Sequence, residues 1–380
     1  MVPGGQCFAR IDGKATFITG ALPGETLDIS VTTEKKDYSF ATINAVLEPS
    51  PHRIEPPCPY FGICGGCSLQ MADNAYQIEL RKGILSEALS RSRVPGQREI
   101  AAITGDPFGY RSRFQFHRCA SSIVGIKEGA SDRIVPIKDC PVAVPAIRSA
   151  LADGSLAAMS AARSDGERFH VFAYEADLWH EYRDSLCEIQ LDGRPISFDV
   201  RGFFQSNVPL LERLVRLLRE DIHVGRKDSP ESERRDSAAF LDFYAGVGTF
   251  SLCLGDGFGE TVLLEHNRNA LEASRGNVER AGLRARYIAA SDESWPDREE
   301  SRKAYDYIVV DPPRAGLSKR ALRWFCESGT RNLRYVSCDP VTFARDAAAL
   351  TAAGYSLDRL FMLDFYPQTH HLETLGVFSK

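Results

Sequence analysis

The chain has 380 residues, 43% of them hydrophobic and 26% charged, with a formal net charge of -5. That length allows two or three domains with real cores, and the composition is that of an ordinary globular protein. No stretch approaches the roughly 18 apolar residues of a membrane span, so no membrane partner is expected. Met1 to Gly20 carries Gly5, Gln6, Arg10, Asp12 and Lys14 and lacks the apolar core of a signal peptide, which points to a cytoplasmic location. Ten cysteines in such a chain argue for metal binding or catalysis rather than for disulfides. The net charge gives no hint of a nucleic-acid partner, yet residues 76–127 hold nine Lys or Arg against four acids. Such a segment can bind phosphates, although a solvated helix face is the plainer reading.

Residues 1–49 read as all-β. Leu27, Ile29 and Val31 alternate with Asp28 and Ser30, Pro23-Gly24 signals a turn, and a polar run leads into a second strand over Tyr38–Val46. Short strands in so few residues suggest a small OB-like barrel, a shape that often binds oligonucleotides. Pro49, Pro51, Pro56 and Pro57 then form a linker.

Residues 50–200 read as a central α+β domain. It opens on Cys58-x5-Cys64-x2-Cys67, where Gly65 and Gly66 permit the tight wrapping that a metal or cluster needs. A fourth thiol is required, and Cys140, in Lys138-Asp139-Cys140-Pro141, is the best candidate. Pro after Cys recurs in iron–sulfur loops. A zinc site is disfavoured because the paired C-x2-C halves are missing. Cys7, Cys119, Cys187, Cys253 and Cys326 read as core thiols. The spacing of Tyr76, Leu80, Ile84, Leu85 and Leu89 predicts a helix over 74–93. Short strands are expected near 112–118, 123–127, 168–174 and 186–191, with a helix near 143–160.

Residues 201–380 begin with a helix over 207–221 and a charged, Ser-rich loop from Arg226 to Ser237. Strand and helix alternate from 239 to the end, which predicts an α/β domain with a mostly parallel, doubly wound sheet. Its strand ends should share one rim. The first carries Gly246-Val247-Gly248, weak by itself. It is strengthened by Glu265 at the end of the next strand, where an acid can accept the ribose hydroxyls of an adenosyl cofactor. No Lys-Ser/Thr follows the glycines, so a dinucleotide or S-adenosylmethionine is expected rather than a nucleoside triphosphate. Asp311-Pro312-Pro313-Arg314 ends another strand with a stiffened carboxylate. Cys338-Asp339-Pro340 ends the next. Taken alone Cys338 would be a core thiol. Glu373 precedes the final strand, and a thiolate and a carboxylate on one rim make a nucleophile and a general base. To be effective, Cys338 needs a helix N-terminus such as the one expected near Val341.

Together the segments CPYFGICGGCSLQ, FFQSN at 203–207, LDFYAGVGTFSL, LLEHNRNALEASRGN, VVDPPRAGL, VSCDPVTFARD and HHLET resemble the RNA 5-methyluridine (uracil-C5) methyltransferases of RumA-like type. The resemblance covers nearly the whole chain. It implies an N-terminal TRAM domain, a [4Fe–4S] cluster on Cys58, Cys64, Cys67 and Cys140, and a Rossmann-like catalytic domain. It implies Cys338 as nucleophile and Glu373 as base, with Gln205, Tyr244, Glu265 and Asp311 contacting S-adenosylmethionine. The implied substrate is RNA, with 23S rRNA favoured over the T-loop of tRNA; oligomeric state cannot be read from the sequence, and a monomer is taken as the default. The chain departs from the family pattern in a TRAM segment short at its start, in Asp339 where Asn is common, and in Ala245 and Thr249 in the cofactor loop.

Overall fold

The structure, a computed structural model, describes residues 1–96, 99–119, 123–129, 131–160, 164–224 and 237–380. Arg98 and nearly all of the predicted loop from Arg226 to Ser237 lie outside them. Two compact units are present. The first gathers Met1–Glu87, Asp106–Leu178 and Tyr366–His371, and the second Ala88–Gly105, Trp179–Phe365 and Leu372–Lys380.

The first unit starts with β1 (Cys7–Ile11), β2 (Lys14–Ile18), β3 (Thr26–Glu34) and β4 (Tyr38–Glu48), in sheet order β1-β2-β4-β3. Asp12 and Gly13 both have positive φ (50° and 80°), the geometry of a two-residue hairpin whose twist matches its strands. Cys7, Ile18, Ala21 and Ala41 are buried on one side, with Leu27, Ile29 and Ile43 against them. Elsewhere on the sheet the rings of Phe8, Phe17, Tyr38 and Phe40 form a row with centroids 5.5–6.1 Å apart. Phe8 and Tyr38 are exposed.

After β5 (Ile100–Ile103), which belongs to the second unit, come β6 (Arg113–Cys119), β7 (Ile123–Lys127), β8 (Ile134–Pro136), β9 (Arg168–Tyr174) and β10 (Asp177–His180). They form a sheet in the order β10-β9-β6-β7-β8. The helix expected near 143–160 is two short ones, Pro145–Ala152 and Ser155–Met159, parted by Gly154 in the left-handed region (φ 78°). The basic segment is not one solvated face: Arg81 is buried, and the Arg111 guanidinium lies 4.6 Å from the centre of the Phe114 ring.

The second unit holds the hairpin β11 (Leu186–Leu191) and β12 (Arg194–Asp199), the helix Val208–Val224, and the main sheet. That sheet adds β13 (Ala239–Phe243), β14 (Glu260–Glu265), β15 (Ala285–Ala289), β16 (Tyr307–Val310), β17 (Asn332–Ser337), β18 (Ser356–Leu363) and β19 (Glu373–Ser379), ordered β15-β14-β13-β16-β17-β19-β18-β5. β13 and β16 are buried along their whole length, which is why their sequences are nearly unbroken apolar runs. β13 to β17 are parallel, so their C-terminal ends share one rim, and the strand order reverses between β13 and β16. β19 runs antiparallel between β17 and β18, so its first residue lies at that same rim. Among the described residues no helix is long and apolar enough to cross a membrane.

Candidate active site

The turn after β13 forms the first half of the site. Tyr244, Gly246 and Gly248 all have positive φ (69°, 54° and 83°). A Cβ on Gly248 would lie 2.9 Å from Ser274 Cβ, so this glycine lets the turn pack on the helix Arg268–Arg280. The Gly246 N–H donates to Glu265 Oε2 at 3.0 Å, and the Asn267 N–H donates to Oε1 at 2.7 Å. Glu265 is thus aimed by backbone from both sides. The Tyr244 hydroxyl donates to Asp292 Oδ2 at 2.7 Å, which also accepts the Ser318 N–H at 2.9 Å. Burial, and then this bond, hold the tyrosine hydroxyl far above its usual pKa.

Asp242, on β13, is 1% exposed. Its Oδ2 accepts the Ser251 N–H and hydroxyl at 2.8 and 2.7 Å, while Oδ1 has no partner among the described residues. Burial pushes its carboxyl up to about 7 against the effect of those bonds, with Glu265 adding repulsion. Asp311, just past β16, is raised by burial and then by the charge of Asp242.

The loop after Asp311 is clasped by the helix Pro340–Ala352. Thr342 Oγ1 donates to Arg314 O at 3.1 Å, and Arg345 Nη2 to Ala315 O and Leu317 O at 3.1 and 3.0 Å. Fully buried Asp346 accepts the Leu317 N–H at 2.9 Å and the Tyr335 hydroxyl at 2.7 Å.

Cys338 follows β17 directly. Burial pushes its thiol up to about 11, and the charges of Glu373 and Asp311 add to this against Arg314. The N-terminus of the following helix does not serve the sulfur as expected. Asp339 caps it, accepting the Val341 and Thr342 N–H groups at 3.0 and 2.8 Å through Oδ1. Glu373 opens β19 and is 3% exposed. Burial, then Asp311, raise its carboxyl, while a hydrogen bond from Gln205 opposes them. Its Oε2 has no hydrogen-bond partner among the described residues. The pairing of Ser337 with Thr374 fixes Cys338 and Glu373 at adjacent strand ends.

The sequence-predicted residues therefore fall into two groups on one rim. Cys338, Glu373, Asp311 and Gln205 form one; Tyr244, Gly246, Gly248 and Glu265 form the other. Asp242 joins them, because it raises Asp311 and is itself raised by Glu265. Burial, and then repulsion from a neighbouring carboxylate, raise each of Asp242, Asp311 and Glu373. Asp242 and Asp292 were not singled out from sequence. The signals were an acid inside an apolar strand, in Leu241-Asp242-Phe243, and an acid just past β15.

In the first unit, burial raises the thiols of Cys64, Cys67 and Cys140, and the nearby Arg111 guanidinium opposes it in each case. The Tyr60 hydroxyl accepts the Lys138 N–H at 3.0 Å, tying the Cys140 segment to the Cys58–Cys67 loop. Gln70 Oε1 accepts the Cys58 N–H at 3.2 Å. The Gly66 N–H points at Cys64 Sγ at 3.4 Å, the kind of bond that tunes a cluster thiolate. Among the described residues, no three His, Cys, Asp or Glu side chains are close enough to hold a single metal ion.

The sheet order, the glycine turn and the acid ending β14 define a Rossmann-like domain. The family model for tRNA (Uracil-5-)-methyltransferase matches residues 229–380. An RNA methyltransferase of Treponema denticola is 40% identical over all of this chain and 97% of its own. The 23S rRNA (uracil(1939)-C(5))-methyltransferase RlmD of Enterobacter sp. is 30% identical over 99% of this chain and 94% of its own. The crystal structure of the Pyrococcus abyssi tRNA (uracil-54, C5)-methyltransferase in complex with S-adenosyl-L-homocysteine has the same fold. It matches with a TM-score of 0.73 at 23% identity over 98% of this chain and 97% of that one. The chain belongs to the RNA uracil-C5 methyltransferase family and is an S-adenosylmethionine-dependent RNA methyltransferase.

Proposed function

We propose that the protein methylates C5 of one uridine in 23S rRNA, acting as a monomer through a covalent bond between Cys338 and C6 of the base. The observation that carries this reading is the antiparallel placement of β19, which brings Glu373 to the rim where β17 delivers Cys338. C5 of uracil is a poor nucleophile. Cys338 adds as thiolate to C6, which turns the ring into an enolate able to attack through C5. S-Adenosylmethionine would supply the methyl group. Glu373, whose carboxyl is raised by burial, takes the C5 proton in its ionised form. The electron pair restores the C5–C6 double bond, and the C6–S bond breaks to free the Cys338 thiolate. Glu265 would hold the ribose of S-adenosylmethionine, and Tyr244, Gly246, Gly248, Gln205 and Asp311 would line the rest of the cofactor site. The uridine must leave its stack to reach this rim.

Residues 1–49 are proposed as a TRAM-like RNA-binding module, on which Phe8, Phe17, Tyr38 and Phe40 offer rings for base stacking. Residues 50–200 carry the cysteine loop and 201–380 the proposed catalytic residues, although 88–105 and 179–200 pack with the second unit and 366–371 with the first. Cys58, Cys64, Cys67 and Cys140 would hold a [4Fe–4S] cluster. Three of these thiols stand in one glycine-bearing loop, the Lys138 N–H beside the fourth donates to the Tyr60 hydroxyl of that loop at 3.0 Å, and the chain lacks the paired C-x2-C halves usual for zinc. rRNA is preferred to tRNA because the rRNA-modifying relative is similar along both chains at 30% identity. The test is RNA carrying 5-fluorouridine, whose fluorine cannot be abstracted, so that the wild-type protein is trapped on it. Cys338→Ala should form no adduct, and an adduct surviving that change would refute the role of Cys338. Mapping 5-methyluridine in rRNA and tRNA from a strain lacking the gene decides the substrate.

A further inference from the structure

Between β18 and β19 the chain enters the first unit for six residues, Tyr366–His371, then returns through Leu372 to Glu373. No chemical step above uses these six residues, yet they are held at almost every position. The Tyr110 hydroxyl donates to Pro367 O at 2.9 Å. The Ser68 and Leu69 N–H groups both donate to Gln368 O at 3.0 Å. Gln77 pairs with Gln368 twice: its Oε1 accepts the Gln368 N–H and its Nε2 donates to Gln368 Oε1, each at 3.0 Å. Gln368 Nε2 donates to Asn74 Oδ1 at 2.8 Å. The His370 N–H donates to Ser68 Oγ at 2.9 Å, and the same hydroxyl lies 2.9 Å from His370 Nδ1.

Gln368 is 2% exposed and sits at φ 68°, a backbone region that favours glycine. A glutamine kept there is over-determined by its surroundings. Gly5 leaves room for the same strap, since a Cβ on it would lie 2.7 Å from His370 Cβ. A loop that only joins two strands needs none of this. Ser68 follows Cys67 directly, so the partner of the strap is the end of the cysteine loop.

We infer that Gln368 and Ser68 are positioning residues: through them the cysteine loop fixes the strap from which Glu373 enters the active site. The inference rests on the roles proposed for Cys338 and Glu373. It gives the cysteine loop a share in the second half of the reaction. Addition of Cys338 to C6 and attack on the methyl group do not need Glu373. Loss of the C5 proton, return of its electron pair to the ring and departure of the Cys338 thiolate do. A displaced Glu373 leaves the methylated base attached to Cys338.

The experiment uses full-length protein, S-adenosylmethionine and RNA with ordinary uridine. Gln368→Ala should lower turnover at least tenfold while protein–RNA adduct, read on denaturing gels, rises above wild type and S-adenosylmethionine affinity stays unchanged. Ser68→Ala, a milder change, should move both readouts the same way, and Ser68→Thr, which keeps the hydroxyl, should restore them. Turnover and adduct falling together in both variants, or neither changing, overturns the positioning role alone. A wild-type protein that forms no adduct with 5-fluorouridine RNA overturns the underlying reading and this inference with it.

Discussion

Gly246 and Gly248 stand two residues apart in one turn, both with positive φ, and the structure predicts different consequences for alanine at each. A methyl group at Gly246 would meet nothing within 4 Å. At Gly248 it would lie 2.9 Å from Ser274 Cβ and 3.2 Å from Ser274 Cα, against helix backbone that cannot swing aside. Left-handed backbone costs an alanine about 1–2 kcal/mol at either position. Overpacking at Gly248 adds about 1–3 kcal/mol, for a total of about 2–5 kcal/mol. Gly246→Ala stays near the lower figure, but its backbone N–H holds Glu265 Oε2, so any shift of this strained turn reaches the carboxylate proposed to hold the cofactor ribose. Urea unfolding followed by the fluorescence of fully buried Trp295 and of Trp324 reads the stability of this unit. Calorimetric titration with S-adenosylmethionine reads the site. Gly248→Ala should lose at least ~1 kcal/mol more stability than Gly246→Ala, whereas Gly246→Ala should bind the cofactor at least tenfold more weakly than wild type. Equal unfolding energies for the two variants would refute the packing argument.

Asp242 holds its proton up to about pH 7 when folded and only to its ordinary value of 3.8 when unfolded. The unfolded chain thus releases that proton first, and wild-type stability falls as pH rises through this window. Asp242→Asn has no such titration. Its stability relative to wild type should grow over the window by as much as ~4 kcal/mol, and a difference that stays flat with pH would show the carboxyl to be ordinary. On the N-terminal sheet, Phe17→Ala should weaken RNA binding by about 1–3 kcal/mol, the usual worth of one stacked base. Cofactor affinity should be unchanged, and RNA affinity equal to wild type in filter binding would remove that aromatic row from the RNA path.

What could be read from sequence follows from where the physics is local. Tyr307-Ile308-Val309-Val310 announces a strand buried on both faces, and the prolines after Asp311 mark its end, so the parallel half of the sheet was legible. The hairpin of β1 and β2 went unread despite its Asp12-Gly13 turn, because each strand is only five residues long. β5 is four residues long and has no alternation, and only its pairing with β18 makes it a strand. At the site, the residue types of Cys338 and Glu373 were visible, while their meeting depends on the reversed direction of β19. The acidity of Cys338 could not be read. A helix start beside a thiol suggests activation, and only the side-chain position of Asp339 shows that the helix end is already taken.

β5 carries a practical consequence for anyone dissecting the gene. Its four residues come from far upstream of every other strand of the main sheet, yet they line the outer side of β18. A polypeptide begun at residue 201 would contain every strand from β13 to β19 and still leave a row of N–H and C=O groups bare along β18. Bare edges of that kind recruit other chains. Grafting the catalytic half elsewhere therefore calls for carrying this tile along, or for guarding the exposed margin with lysine or proline.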